Sequence, residues 1–340
     1  MNPTIKDVGK RAGVSIATVS LVISNHSRIS TPTKNKVLKA IKELNYYPSR
    51  SAKGLVTKTT KNIGFILTDD HFLKTEPFYT NIFLGTEFVT RGSDYYVLLA
   101  TINTNFSEED SLPRFLLERS VDGVIIAGKV PLLFLEKLSK SKIPKIFVDY
   151  YPTSGDNNVV LIDNIRGGLY ATQHLIDYGH KEIAFVGGDI THPSISDRLT
   201  GYKQALERNS VTINSNNIIT DEDYPARQNG YNATQKLLTR NSNITAIFTC
   251  NDAMAIGVMQ YCVDNGIKIP DDISLVGFDD VEADLLLNPP LTTIRVPKVE
   301  MGSEAMKLMV NVLKEKSVVS VKKILVPVEL IIRNSTKKIN

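Results

Sequence analysis

Two hydrophobic periods divide the chain. From Thr4 to Ser24 apolar residues recur at helical spacing in two short runs around a tight turn; from Lys61 onward they gather in short β-branched runs alternating with amphipathic stretches. In the first region, Thr4 followed by Asp7 fits a capping box that starts a helix carrying Ile5 and Val8 inward, with Ala12 near its end. Gly13 permits the turn. Ser15 is placed to cap a second helix, in which Val19 and Ile23 fall four apart on one face. Ile16, Ala17, Ser20, Leu21 and Ser24 lie elsewhere, as a helix-turn-helix leaves them for a major groove, although a helical hairpin inside a larger core would share the pattern. Ser30 or Thr31 with Pro32 starts a third helix whose Val37, Ile41 and Leu44 face the first two, giving one minimal core. Tyr46, Tyr47 and Pro48 stop it. The segment Ser49 to Leu55 contains Gly54 and is too short to hold a helix alone in water. It is either a tether or a helix that forms only against DNA and a partner copy.

The second region predicts parallel strands joined by crossover helices. Strands are expected over Ile63 to Leu67, Tyr95 to Ala100, Gly123 to Ala127, Ile146 to Asp149, Ile183 to Val186, Ala246 to Thr249 and Ser274 to Phe278. Helices should start near Phe78, Ser107, Pro131, Asn164, Ser196, Ala226 and Asn251. "KNIGFIL" at Lys61 and "KEIAFVG" at Lys181 open corresponding series, so two similar α/β lobes with a cleft between them are expected, with connections around Asn157, Pro289 and Lys316. Ligands of open α/β sheets sit beyond the carboxyl ends of the strands, and Asp69, Asp149, Asp189 and Asp279 all fall there, with Asn251 and Asp252 after another strand. Convergent carboxylates accept paired hydroxyl hydrogen bonds and suit a polyhydroxylated ligand, with Phe78, Tyr79 or Tyr224 available to cover an apolar ring face. A lone Asp after a strand also serves as a helix cap, and Asp252 and Asp280 are read as structural. Arg198 either binds a ligand oxygen or pairs with a neighbouring carboxylate.

Charge sharpens the division. Residues 1–61 hold twelve Lys and Arg against Asp7 and Glu43, a net +10, so the remaining residues carry −6 within the total of +4. A basic head favours a polyanionic partner, because neutralised phosphates release condensed counterions. At 340 residues the chain suits a small head plus a larger body, and 42% hydrophobic content supports globularity. No apolar leader and no bilayer-length apolar run is present, which points to an unexported, cytoplasmic chain with no membrane partner. Cys250 and Cys262 lack a CxxC partner and read as buried free thiols. No GxGxxG, GxxxxGK[ST], GxSxG or HExxH occurs, the five histidines lack ligand spacing, and His174 reads as a satisfied helix histidine, so neither enzyme chemistry, a cofactor nor a metal is expected.

Head, link and body together resemble the lactose-repressor (LacI/GalR) family of bacterial transcription regulators over essentially the whole chain. The resemblance is carried in order by "IKDVGKRAGVSIATVS", "KVLKAIKELNYYPSRSAKGL", "DGVII", "DNIRGGLYATQHLIDYGHKEIAFVGG", "RLTGYKQAL", "TAIFTCNDAMAIG", "IPDDISLVGFDD", "PPLTTIRVP" and "IIRNST". It implies a helix-turn-helix head over 1–48, a hinge helix and linker over 49–60, and a ligand-binding and dimerisation body over 61–340 resembling periplasmic binding proteins, with lobe 1 at 61–160 and 293–321 and lobe 2 at 161–292 and 322–340. It further implies a homodimer on a palindromic double-stranded DNA operator, with Leu55 of the hinge wedged into the central minor groove. The implied DNA contacts are Thr4, Ser15, Ile16, Ala17, Thr18, Ser20, Leu21, Ser24, Asn25, His26, Ser30, Tyr46, Ser49, Ala52, Lys53 and Leu55. The implied contacts to a small effector, of carbohydrate type, are Phe78, Tyr79, Asp149, Ser194, Arg198, Tyr224, Asn251 and Asp279. A regulatory protein partner, as some relatives use, stays open, and so does a transport or sensory sugar-binding protein without a DNA role.

Several residues depart from the family pattern. Leu21 stands where many relatives have an arginine that reads guanine, so apolar Ile16, Ala17 and Leu21 are expected to meet thymine methyls instead. Ser24 replaces a common asparagine, Glu76 sits in what is usually an Asn-Pro-Phe turn, and Lys298 occupies a site often apolar or aromatic. The last two open the way to an anionic or phosphorylated ligand.

Overall fold

The structure, a computed structural model, describes residues 3–23, 26, 28–46, 59–73, 77–152, 156–315 and 321–339. It divides into two units, residues 1–61 and 62–340.

In the first unit, α1 (Ile5–Ala12), α2 (Ile16–Ile23) and α3 (Thr31–Glu43) enclose a core of Val8, Val19, Val22, Val37 and Ala40. The capping box forms: the Thr4 backbone N–H and hydroxyl donate to Asp7 Oδ2 at 2.8 and 2.7 Å, and the Asp7 N–H returns to Thr4 Oγ1 at 3.4 Å. Gly13 takes φ +66°, the left-handed cap that an L side chain rarely adopts. The core face of α2 is Val19 and Val22, three apart, with Ile23 only half-buried beside them. Val19 and Ile23 thus share the core-facing side as expected, with Val22 the more deeply buried neighbour.

The second unit continues with β1 (Asn62–Thr68), α4 (Asp69–Leu73), α5 (Phe78–Thr90), β2 (Tyr96–Ile102), α6 (Arg114–Leu117), β3 (Gly123–Ala127), α7 (Leu132–Ser139), β4 (Lys145–Val148) and β5 (Asn158–Ile162). There follow α8 (Asn164–Asp177), β6 (Ile183–Gly188), α9 (Pro193–Arg208), β7 (Ile218–Glu222), α10 (Arg227–Arg240), β8 (Ala246–Thr249), α11 (Asp252–Asp264), β9 (Ser274–Asp279), β10 (Thr292–Arg295), α12 (Lys298–Lys314), β11 (Lys323–Val326) and β12 (Glu329–Ile331). Two six-stranded sheets result, ordered β11-β5-β4-β3-β1-β2 and β12-β10-β9-β8-β6-β7. Every pairing is parallel except β10 with β12. Such sheets must be covered on both faces, and the central strands β1, β3, β6 and β8 are accordingly almost wholly buried.

The chain passes between the sheets three times: from β5 into α8, from β10 into α12, and from β11 into β12. Sheet membership corrects the expected lobe boundaries. Residues 161–162 and 323–326 belong with the first sheet, and 293–295 with the second. The polar stretch at Asn157 precedes a strand rather than forming a connection, and Pro289 precedes β10; Lys316 lies outside the described residues. The expected helix at Ser107 is instead the short α6. α4 and the strands β5, β7, β10, β11 and β12 were not anticipated; these strands are short or lie toward sheet edges, with weak periodicity.

Two helix crossings fix the geometry that matters below. A Cβ on Gly201 would fall 2.0 Å from the Ile165 carbonyl oxygen, and one on Gly302 1.9 Å from that of Ile82. Only glycine lets α9 seat on α8 and α12 on α5 this closely.

Candidate functional site

The outward face of α2 presents Ile16, Ala17, Ser20 and Leu21 to solvent, with Ile16 45% and Leu21 37% exposed. Core packing does not explain either residue. The Ser15 hydroxyl accepts the Thr18 N–H at 3.1 Å, so it starts α2 as the sequence suggested, and its Oγ lies 2.9 Å from that of Thr18. Thr4, His26 and Ser30 are also exposed, Thr18 and Tyr46 half-buried. Ser24, Asn25, Ser49, Ala52, Lys53 and Leu55, with Glu76, lie outside the described residues.

Between the lobes of the second unit lies a cavity of about 570 Å³ lined by all eight residues expected to contact a ligand. α5 supplies Phe78 and Tyr79, and the residue after β4 is Asp149, held at φ +64°. Tyr79 Oη donates to Asp149 Oδ2 at 2.8 Å within the first lobe. From the second lobe Ser194 Oγ donates to the Asp149 carbonyl at 2.9 Å and to Oδ1 at 3.2 Å. One buried carboxylate is therefore grasped by both lobes. Burial and the adjoining Asp149 charge push the Tyr79 hydroxyl far above its ordinary range, so it remains a donor.

Arg198 is 5% exposed and lies with its guanidinium 3.7 Å over the Phe278 ring. Its Nε donates to Asn164 Oδ1 at 2.8 Å and its Nη1 to the Cys250 carbonyl at 2.5 Å, while Nη1 stands 3.9 Å from Asp279 Oδ1. Of the two alternatives raised by the sequence, the pairing with a neighbouring carboxylate is present, and Arg198 also lines the cavity. Asp279 Oδ1 is buried without a hydrogen-bond partner, and burial, partly offset by Arg198, raises its carboxyl to about 7. Asn251 caps α11 by accepting the Met254 N–H at 2.9 Å and donates to the Pro225 carbonyl at 2.9 Å, fixing the loop that presents Tyr224. Burial raises the Tyr224 hydroxyl to about 12.

Asp69 is not part of the cavity lining: it accepts from the Thr104 N–H at 3.1 Å and its hydroxyl at 2.8 Å, tying α4 to the segment after β2. Asp252 and Asp280 are structural as expected. Asp252 accepts the Thr293 hydroxyl at 2.6 Å and the Val281 N–H at 3.2 Å, and Asp280 takes Arg295 at 2.6 Å and also Arg333. His174 lies 3.0 Å from the Thr336 hydroxyl. Lys298 gives no support to an anionic ligand, because its ammonium is committed to the carbonyls of Asp279 and Asp280 and does not line the cavity. Among the described residues no His, Cys, Asp or Glu cluster could hold a metal, and no helix is long and apolar enough to cross a membrane.

Sequence reasoning missed His71, Lys129, His192, Asp223, Arg227 and Gln228 in the lining. Applied to every polar residue rather than to carboxylates, the strand-end rule would have reached His71 after β1, Lys129 after β3 and His192 after β6. Burial lowers His71 to about 4 and also lowers His192, so both imidazoles are neutral near pH 7. Lys129 of the first lobe reaches the second, 3.3 Å from Asp189 Oδ2 and 3.1 Å from Thr191 Oγ1.

Residues 4–49 match the profile described as bacterial regulatory proteins, lacI family, and residues 172–336 that of a periplasmic binding protein-like domain. The chain is 34% identical over 340 residues to the HTH-type transcriptional repressor PurR of Haemophilus influenzae, covering 99% of each. It superposes on a lac repressor dimer bound to operator and the anti-inducer ONPF with a TM-score of 0.79 at 26% identity, covering 99% of this chain and 100% of that one. Against the complex of the transcriptional regulator CelR with cellobiose the TM-score is 0.75 at 28% identity, covering 98% and 99%. The chain belongs to the LacI family of bacterial regulatory proteins and is a ligand-controlled, DNA-binding transcriptional repressor rather than an enzyme.

Proposed function

We propose that the interlobe cavity binds a small, uncharged, hydroxyl-rich molecule of carbohydrate type, and that its occupancy decides how tightly a homodimer holds a palindromic operator. The observation that carries this reading is Asp149, a first-lobe carboxylate inside the cavity that accepts from Ser194 of the second lobe. A ligand hydroxyl placed there bonds to both lobes at once and biases their relative orientation. Asp149, Asp189, Asp223 and Asp279 supply acceptors, and Phe78, Tyr79 and Tyr224 supply ring faces. Arg198 and Lys129 already hold protein partners, which disfavours a phosphate.

On DNA, Ile16, Ala17, Ser20 and Leu21 meet base edges, apolar side chains against thymine methyls. Thr4, Ser15, Thr18, Ser24, Asn25, His26, Ser30, Tyr46, Ser49, Ala52 and Lys53 complete the interface, and Leu55 wedges the dyad step. Dimerisation through the body is supported by apolar side chains left exposed on the first lobe: Leu84, Phe88, Tyr96 and Leu99. A cytoplasmic location follows from a DNA partner.

The test is a thermal-shift screen against sugars, sugar phosphates and nucleobases, followed by operator titration with each compound that stabilises the chain. A sugar that binds and changes operator affinity fulfils the reading; stabilisation by sugar phosphates alone overturns the ligand class. Operator affinity that stays constant at saturating concentrations of a bound ligand overturns the control.

A further inference from the structure

We infer that Lys298 is a positioning residue that ties the ligand-facing end of β9 to the first lobe, so that occupancy at Asp279 is transmitted to α12. The inference rests on the cavity being the ligand site. Lys298 is the first residue of α12, directly after the chain has crossed from the second sheet, and it is 8% exposed. Its ammonium donates to the carbonyl oxygens of Asp279 and, at 3.3 Å, of Asp280, both in the second lobe. On its other side it stands 5.7 Å from the ring centroid of Phe78, which lines the cavity from the first lobe.

The turn that receives Lys298 is unusual. Asp279 and Asp280 take φ +124° and +54°, conformations an L residue keeps only where its surroundings hold it. The Asp280 carboxylate is gripped by Arg295 and Arg333, and the Asp279 carbonyl also accepts the Val296 N–H at 3.3 Å. The Asp279 side chain lines the cavity with an oxygen, Oδ1, that has no hydrogen-bond partner and only Arg198 as an ion-pair neighbour, at 3.9 Å. A ligand that draws this carboxylate must therefore turn a peptide whose carbonyl is bonded to the first turn of α12. Because Gly302 seats α12 directly on α5, that turn does not yield independently of Phe78 and Tyr79.

The test compares the full-length wild type with K298M, which keeps the stem and removes the donor, and with K298R, which restores one. Without any small molecule, hydrogen exchange is followed across 279–301, and affinity is measured for the duplex recovered by selection from a random palindromic library. K298M should speed exchange at 279–281 and in the first turn of α12 by about tenfold, the scale of losing a charge-assisted bond. It should also change operator Kd at least about fivefold with the salt slope unchanged, and K298R should move both back toward wild type. Exchange and operator Kd within twofold of wild type, with or without a lowered melting temperature, overturn the inference and leave Lys298 a structural residue. If K298M does not fold, K298Q, which keeps a neutral donor, carries the same comparison. Failure of the cavity reading is separate: it shows as a wild type that no sugar stabilises.

Discussion

The Asp279 carboxyl gives the sharpest prediction about ligand binding. Burial raises it to about 7 in the free protein, and its Oδ1 lacks a hydrogen-bond partner. A ligand hydroxyl donating to that oxygen favours the ionised form, so binding at acid pH must expel a proton. With a free value near 7 and a bound value well below it, the apparent Kd scales as one plus the ratio of protonated to ionised carboxyl. It should rise roughly tenfold between pH 8 and pH 6, about 1.4 kcal/mol, and keep rising toward pH 5. His71 does not imitate this, since burial holds its imidazole near 4. Calorimetry in two buffers of different ionisation enthalpy counts the protons, and close to one should be released at pH 6. Asp279→Asn should flatten the profile and weaken binding. A wild-type Kd constant from pH 8 to pH 5.5, or an unchanged slope in the Asn variant, refutes the reasoning. Stability against pH is the weaker assay. A raised native value means stability present at low pH is lost as pH climbs from about 4 through about 7, and Asp252 and Asp284, also raised by burial, add the same sign.

Ser194→Ala removes the second lobe's donor to Asp149 while leaving each lobe intact; ligand Kd should rise up to about tenfold with the melting temperature nearly unchanged, checked by calorimetry and thermal unfolding. Gly201→Ala places a Cβ against the Ile165 carbonyl and should cost about 1–3 kcal/mol in denaturant unfolding. Thr4→Ala removes one half of the capping box and should cost the head about 1 kcal/mol, read from its own unfolding transition. Leu21→Arg should change base preference at one operator position in a selection experiment, and an unchanged profile would show that the side chain stays off the DNA.

What could be read in the sequence was what local chemistry dictates. The Thr4–Asp7 box, the Gly13 turn and the buried β-branched strands each need only neighbours along the chain, and each appears in the structure. The cavity lining was legible for a second reason: strand ends in parallel sheets converge, so Asp149 and Asp279 meet in one cavity although they stand 130 positions apart. Contacts set only by packing between distant segments were not legible. Asp69 obeys the same strand-end rule yet is captured by Thr104. Lys298 suggested an anionic ligand because it places a cation where the family pattern is often apolar or aromatic. The crossing of α12 over α5 and the positive φ at Asp279 and Asp280 instead supply it with two carbonyls. A buried ammonium bonded to two carbonyls is not offered to a ligand. The cavity nearby combines carboxylates, aromatic faces and neutral imidazoles with Lys129, Arg198 and Arg227, of which Lys129 and Arg198 are already bonded to acceptors of the protein itself.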